Sequence, residues 1–411
     1  MDTSGEAEAA ALVALLCSTS KLDRDKGAAQ LARTSPSALP SVSQQLDTLA
    51  EDPNLSWEQK LGYLQGNTCL LSVDTNLSKR DDRLNELIRF SLDWLELEPE
   101  VRVKAAVGDL LESLCRHFGE VVFDSCRGKV SCLIRNHLAR NIDPDKDVTA
   151  EMGPGGVTGK LMNRAEWKNL AAWKDLEVTL GCLGKMFQGL GEAASSRLDQ
   201  EVLTLVFSCC SHHNRFVRDT GYKVCTVLLA AAGDGAGAEL GGEMSGHLAA
   251  GLADSWALVR LSATQAAAQF LAGGRGRAQH HAQLLPRLCL NRYYPAGQVT
   301  PPLTYCNDID YIFNLAEGVR LAAQRAWVSV CGAGGRALLA RQLAATLAYY
   351  SEAAASRHQP AREAACHCLA ELASKLDTDT VAPHLAAILG GCDTTDWSRP
   401  PVLTLPSLQT R

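Results

Sequence analysis

Aromatic side chains make up only 6% of the 411 residues, and no stretch of 18 uncharged apolar residues occurs anywhere in the chain. A bilayer-spanning helix needs about 20 such residues, so none is expected. Runs of alternating β-branched residues are also missing, which argues against a β-sandwich or barrel. Gly (33) and Pro (15) are too few for a collagen-like or wholly disordered chain. Neither sign of charge dominates: 40 Lys and Arg face 46 Asp and Glu, a net charge of −6. A duplex-coating nucleic-acid binder would carry a basic face, and this balance argues against one. The opening MDTSGEAEAAALVALLCSTS places three acids and no base before a short apolar run, the opposite of a secretory signal.

Cysteine, by contrast, is plentiful. The fifteen are odd in number and scattered, and Cys115, Cys182, Cys225 and Cys331 sit among core-type residues. Buried free thiols explain this better than a disulfide framework, which places the chain in the cytoplasm, with the nucleus left open. The length exceeds what a single small core needs.

The chain does contain a clear helical period. Leu84, Leu87, Ile88, Leu92 and Leu95 fall on one face, and Asp82, Arg83, Glu86 and Arg89 take the other. The segment Val101 to Leu114 repeats the pattern, with Pro99 between the two to end one helix and open the next. Ser56 and Gln59 have the spacing of a capping box at another helix start.

Five segments share one outline, a polar turn, then apolar-Arg, then small residues at helical spacing. They are EPEVRVKAAVGDLLESLC, HHNRFVRDTGYKVCTVLL, DSWALVRLSATQAAAQFL, NLAEGVRLAAQRAWVSVC and RHQPAREAACHCLAELAS. Aligned, they place Val101-Arg102, Val217-Arg218, Val259-Arg260, Val319-Arg320 and Ala361-Arg362 in register. The intervals Arg218 to Arg260 and Arg320 to Arg362 are both 42 residues. A period near 40 with two helices per unit marks a helical solenoid. These segments resemble HEAT repeats, close relatives of armadillo repeats, clearly over residues 98–392 and more weakly over 1–97. The resemblance implies an all-α, right-handed α-solenoid, with seven to nine units of roughly 40 residues. Ala105, Ala106, Ala263, Ala322, Ala323, Ala364 and Ala365 are the small residues expected to let helices approach closely. The arginines are expected to be structural, reaching an Asp or a backbone carbonyl to tie neighbouring units.

Two interruptions stand out. Residues 141–165 hold Pro, Gly and mixed charge without a stripe and read as a long exposed loop. Residues 295–314 carry three prolines and stretch the Arg260-to-Arg320 interval to 60, so they read as an insertion. From Asp393 onward the pattern is abandoned, and residues 393–411 are expected to be a disordered tail.

The candidates for chemistry are thin. Cys209, Cys210, His212 and His213 form the densest group of metal-ligand types, but no second pair lies at fitting distance for tetrahedral zinc. Cys366 and Cys368 are two apart in a helical segment and face different sides. The HEAT-like hydroxylases hold iron with repeated His-Glu pairs, and none of the ten histidines here is followed by Glu. Gly273, Gly274 and Gly276 lack the Lys-Ser/Thr ending of a phosphate-binding loop. No catalytic residue, metal or cofactor is expected. The resemblance instead implies a non-catalytic scaffold or adaptor that binds other proteins on an extended surface, with no membrane, nucleic acid or small-molecule substrate. The alternative within the same family is a HEAT-scaffold enzyme or lyase-like factor handling a small cofactor. Trp256, in a turn that resembles those of tubulin-binding HEAT arrays, is the candidate partner contact, with stapling of its own turn as the other reading. The acids Asp81, Asp82, Glu96, Glu98 and Glu100 read equally as a site for a basic partner and as solvated helix faces.

Overall fold

The computed structural model describes residues 3–73, 81–140, 172–232, 241–273, 275–294 and 309–376. Every regular element among them is helical. Two compact units divide at Leu284, one ending there and the other running from Leu285. The interruption at 141–165, residues 295–308 and the tail lie outside the described residues.

In the first unit the helices come in pairs: α1 (Thr3–Leu16) with α2 (Lys21–Leu31), α3 (Leu39–Ala50) with α4 (Trp57–Val73), and α5 (Asp81–Leu97) with α6 (Val101–Phe118). Next come α7 (Glu120–Leu138) with α8 (Ala172–Leu190), α9 (Gln200–Cys210) with α10 (Arg215–Ala232), and α11 (Gly241–Leu252) with α12 (Ala257–Ala272). The second members α4, α6, α8, α10 and α12 pack successively on one another, while α5, α7, α9 and α11 do the same on the other side. These residues thus form an α-solenoid of six stacked pairs, and its first pairs, within residues 1–97, belong to the stack as fully as the later ones.

Local chemistry sets the helix boundaries. The capping box is present: Ser56 N donates to Gln59 Oε1 at 2.8 Å, and Gln59 N donates to Ser56 Oγ at 3.3 Å. Asp199 caps α9 by accepting from Val202 N at 3.0 Å. Gly119, at φ +64, ends α6 and lets α7 begin at once.

Packing between pairs combines apolar burial with polar ties. Leu110, Leu114, Leu180, Leu183, Val217 and Val259 are among the fully buried side chains. Ala106, Ala263, Ala323, Ala364 and Ala365 are buried as expected, whereas Ala105 is exposed and Ala322 half-buried. A close helix approach lies at Gly189 of α8, where an added methyl group would collide with the Glu112 carbonyl oxygen of α6. Across the same interface Lys104 reaches Asp175 at 2.7 Å and Lys185 reaches Asp109 at 2.5 Å. On the other side Arg197 bridges to Asp124 at 2.8 Å and Glu120 at 3.1 Å.

The second unit holds the remainder of α13 (His281–Asn291), then α14 (Ile309–Cys331), α15 (Gly335–Arg341), α16 (Leu343–Ala354) and α17 (Gln359–Lys375). Leu343, Leu347, Tyr350, Ala364, Ala365 and Cys368 form the core of the α16–α17 pair. Helix α14 begins inside the stretch 295–314, which by its sequence reads as an insertion without a stripe. No proline follows Pro302 there, so nothing stops the helix from extending back to Ile309.

Two consequences are measurable. Gly189→Ala should cost about 1–3 kcal/mol, because the clash is with backbone and cannot be relieved by a rotamer; an unchanged thermal midpoint would contradict the close approach. His137 is buried in α7 beside Lys104, Arg140 and Asp175, and burial followed by the Arg140 charge pulls its pKa down to about 4. Its unfolded value is higher, so the unfolded chain takes up the proton first as pH falls. Stability should therefore drop from about pH 6.5 towards 4, and His137→Gln should flatten that part of the profile in chemical denaturation.

Candidate interaction surface

At the turn within each pair, backbone carbonyls at the end of the first helix need donors. Four arginines supply them in one geometry, each at the fourth position of a second helix. Arg24 Nη1 donates to Ser18 O (2.7 Å) and Thr19 O (3.0 Å). Arg218 Nη1 donates to His212 O (3.0 Å) and His213 O (2.7 Å), and Arg260 Nη1 to Asp254 O (2.8 Å) and Ser255 O (3.0 Å). Arg362 Nη1 donates to Ser356 O (2.9 Å) and Arg357 O (2.8 Å). In each case the two N–H groups of one guanidinium nitrogen close two successive carbonyls. Arg218 adds a bidentate pair with Asp254 of the next turn, at 2.8 and 3.1 Å.

Two of the aligned arginines do not share this role, and the register corrects to other residues. Val101 is the first residue of α6, so the equivalent of buried Val217 is Val103, and that of Arg218 is Lys104. Arg102 instead lies exposed, forked onto Glu100 at 2.8 and 3.2 Å. Arg320 sits mid-helix because α14 starts early, and it pairs with Glu317 at 3.3 Å; Val319 beside it is buried. Arg24, which no alignment of Val-Arg pairs could find, follows Asp23 rather than an apolar residue.

The same turns line up aromatic and cationic side chains along one edge of the first unit. Trp57, half-buried at the start of α4, carries the Arg102 guanidinium 3.9 Å from its ring centroid, with Arg24 at 5.8 Å. Leu22 and Leu97, both strongly exposed, belong to the neighbouring turns. Further along, Trp173 and Phe216 stack at 4.9 Å and 16°. Arg215 lies 4.9 Å from the Phe216 ring and 3.5 Å from the ring of Trp256. Trp256 is 48% exposed. Asp254 ties the turn, its carboxylate accepting from Trp256 N at 2.8 Å while pairing with Arg218. Of the candidate residues, Arg218, Trp256 and Arg260 are thus brought together around Asp254; Arg102 lies on the same edge, and Arg320 and Arg362 belong to the other unit.

The remaining candidates have structural surroundings. Cys209 and Cys210 are buried in α9, and burial pushes the Cys209 thiol up to about 12. The His212 and His213 rings lie against each other at 4.0 Å. Cys366 is exposed and Cys368 buried, on opposite sides of α17. Among the described residues no three His, Cys, Asp or Glu side chains gather at metal distance, and no helix is long and apolar enough to cross a membrane. The described cysteines are all free thiols. Three of the clustered acids are taken by cations of the chain itself: Glu96 by Lys129 (2.5 Å), Glu98 by Lys60 (2.5 Å) and Glu100 by Arg102.

No protein-family model matches the chain, and no curated protein does. Among solved structures it is similar to a mutant of Kap121p, at 13% identity and a TM-score of 0.46, over 92% of this chain and 35% of that one. It is also similar to the karyopherin Kap121p bound to the extreme C-terminus of the protein phosphatase Cdc14p (14%, TM-score 0.47, 92% and 36%). Importin beta is a third (11%, TM-score 0.41, 95% and 50%). The chain spans about a third to a half of the length of these structures. Its own architecture assigns the class, through stacked helix pairs, small residues at the crossings and a turn-capping cation at one helical position. The chain is an all-helical repeat protein, an α-solenoid of stacked helix pairs.

In this array Arg218 joins two consecutive turns. Arg218→Lys should lose the bidentate fork onto Asp254, costing roughly 1–3 kcal/mol. Denaturant unfolding checks this, and a midpoint equal to that of the unaltered chain would show the clamp to be idle.

Proposed function

We propose that the chain is a non-catalytic scaffold or adaptor that holds partner proteins on the edge formed by its intra-pair turns. The observation that carries this reading is Trp256, half-exposed on a turn made rigid by Asp254, Arg218 and Arg260, with Arg215 laid over its ring. A large apolar side chain held in water in one orientation loses little entropy on docking. Tryptophan and arginine are also the residue types most enriched in binding hot spots. Leu22, Trp57 and Leu97 extend the apolar character along the same edge. Repeat arrays bind by summing modest contacts over such an edge. The free buried thiols suit the reducing environment of the cytoplasm or nucleus.

The test is affinity purification of the tagged full-length chain from native extract, with mass spectrometry and elemental analysis, alongside Trp256→Ala. A reproducible set of proteins should be retained, and the variant should deplete it at least about tenfold, in line with a hot-spot loss near 2 kcal/mol. Its circular-dichroism melt should match that of the unaltered chain. An unchanged partner set in the variant removes this edge from the reading. An eluate without protein partners but with a stoichiometric metal or cofactor overturns the scaffold in favour of a HEAT-scaffold enzyme.

A further inference from the structure

The second unit contains a cavity of about 490 Å³, within the roughly 300–1,000 Å³ typical of small-ligand sites. It opens between the last turn of α14, α15 and the end of α17. Gly332, at φ +50, turns the chain out of α14, and Gly335 leaves space that a methyl group would take from Trp327. Trp327, Leu339, Leu372 and Leu376 form its apolar walls, and Gln324, Glu371, Lys375 and Arg292 its polar ones. The Arg292 side chain is 14% exposed.

Arg292 is held in place by contacts to several neighbours. Its Nε donates to Gln324 Oε1 at 2.8 Å, and its guanidinium lies 5.2 Å from the centroids of both Trp327 and Tyr293. Nη1 meets only the Cys289 thiol at 3.6 Å and the Glu371 carboxylate at 3.5 Å, and Nη2 has no oxygen acceptor among the described residues. Glu371 is committed elsewhere, accepting the Tyr293 hydroxyl at 2.8 Å and pairing with Lys375. Two cations, Arg292 and Lys375, therefore share one carboxylate at the cavity. A guanidinium fork matches a carboxylate in bidentate geometry, so a second anion entering the cavity would balance the two cations.

We propose that this cavity binds a carboxylate carried on a flat apolar body, the carboxylate taken by the Arg292 Nη groups and the body packed against Trp327 and Leu372. The inference stands apart from the scaffold reading and does not depend on the turn edge. The carboxylate has two chemical sources, a free aromatic acid or the C-terminus of a partner protein ending in an aromatic residue.

Isothermal titration of the full-length chain with biphenyl-4-carboxylate and with its primary amide tests the chemistry without any variant. One acid should bind per chain, and the amide at least about tenfold more weakly, equivalent to 1.4 kcal/mol. A tripeptide ending in Phe, with free and with amidated C-terminus, separates the sources: binding only of the free-ended form assigns a protein C-terminus, and binding of neither assigns a free acid. Arg292→Lys keeps the charge but loses the fork, and should weaken the acid about tenfold while the melt is retained. Equal binding of acid and amide, no binding of either at millimolar concentration, or undiminished binding by Arg292→Lys overturns the proposal.

Discussion

The guanidinium that folds back over its own turn is the contact that closes four of the helix pairs. A tight connection between two helices leaves carbonyls at the end of the first with no intrahelical partner, and water reaches them poorly once the next pair stacks alongside. A cation at the fourth position of the second helix is the one side chain whose backbone origin lies above that turn and whose length reaches it. Arg24, Arg218, Arg260 and Arg362 occupy it with identical donor patterns. Where lysine stands there, as at Lys60 and Lys104, the single ammonium goes to a carboxylate instead, Glu98 in one case and Asp175 in the other. At these two positions the array exchanges a cap for an ion pair without losing the position.

This arrangement also explains the surface. Because the cations and acids near the turns are spent on one another, little net charge is left there. The side chains that stand out are apolar and aromatic, with guanidinium groups laid over rings rather than pointing into solvent. An acidic stretch of sequence such as Glu96, Glu98 and Glu100 therefore does not amount to an acidic surface, since Lys129, Lys60 and Arg102 come back to it from the fold or from the next residues. Trp256 stays exposed for a related reason. The adjacent Asp254 already fixes the turn through the backbone, so nothing draws the indole inward.

Much of the fold was legible from residue spacing. The helical period, the capping box at Ser56 and Gln59, the near-40 repeat and the burial of Cys115, Cys182, Cys225 and Cys331 all appear in the structure. The register of the repeat was less legible. Val101-Arg102 reads like Val217-Arg218, yet the first pair opens its helix and the second lies one half-turn in, so Val103 and Lys104 carry the equivalent roles. Arg24 is hidden in the sequence because its neighbour is Asp23, although its position after a Ser-Thr-Ser turn is a usable signal. Arg320 misleads for the opposite reason, since a matching motif is absorbed into a helix that starts at Ile309.

The sequence by itself determined that this chain is built of amphipathic helix pairs, because periodicity and small-residue spacing are local and each pair can be read alone. Tertiary structure decided which polar groups meet. The Arg218–Asp254 fork, the Lys104–Asp175 tie and the Arg292 cluster join residues 36, 71 and 79 positions apart. No period in the sequence encodes such distances. They arise only when whole helices stack, and stacking is set by the summed burial of many apolar contacts rather than by any one motif.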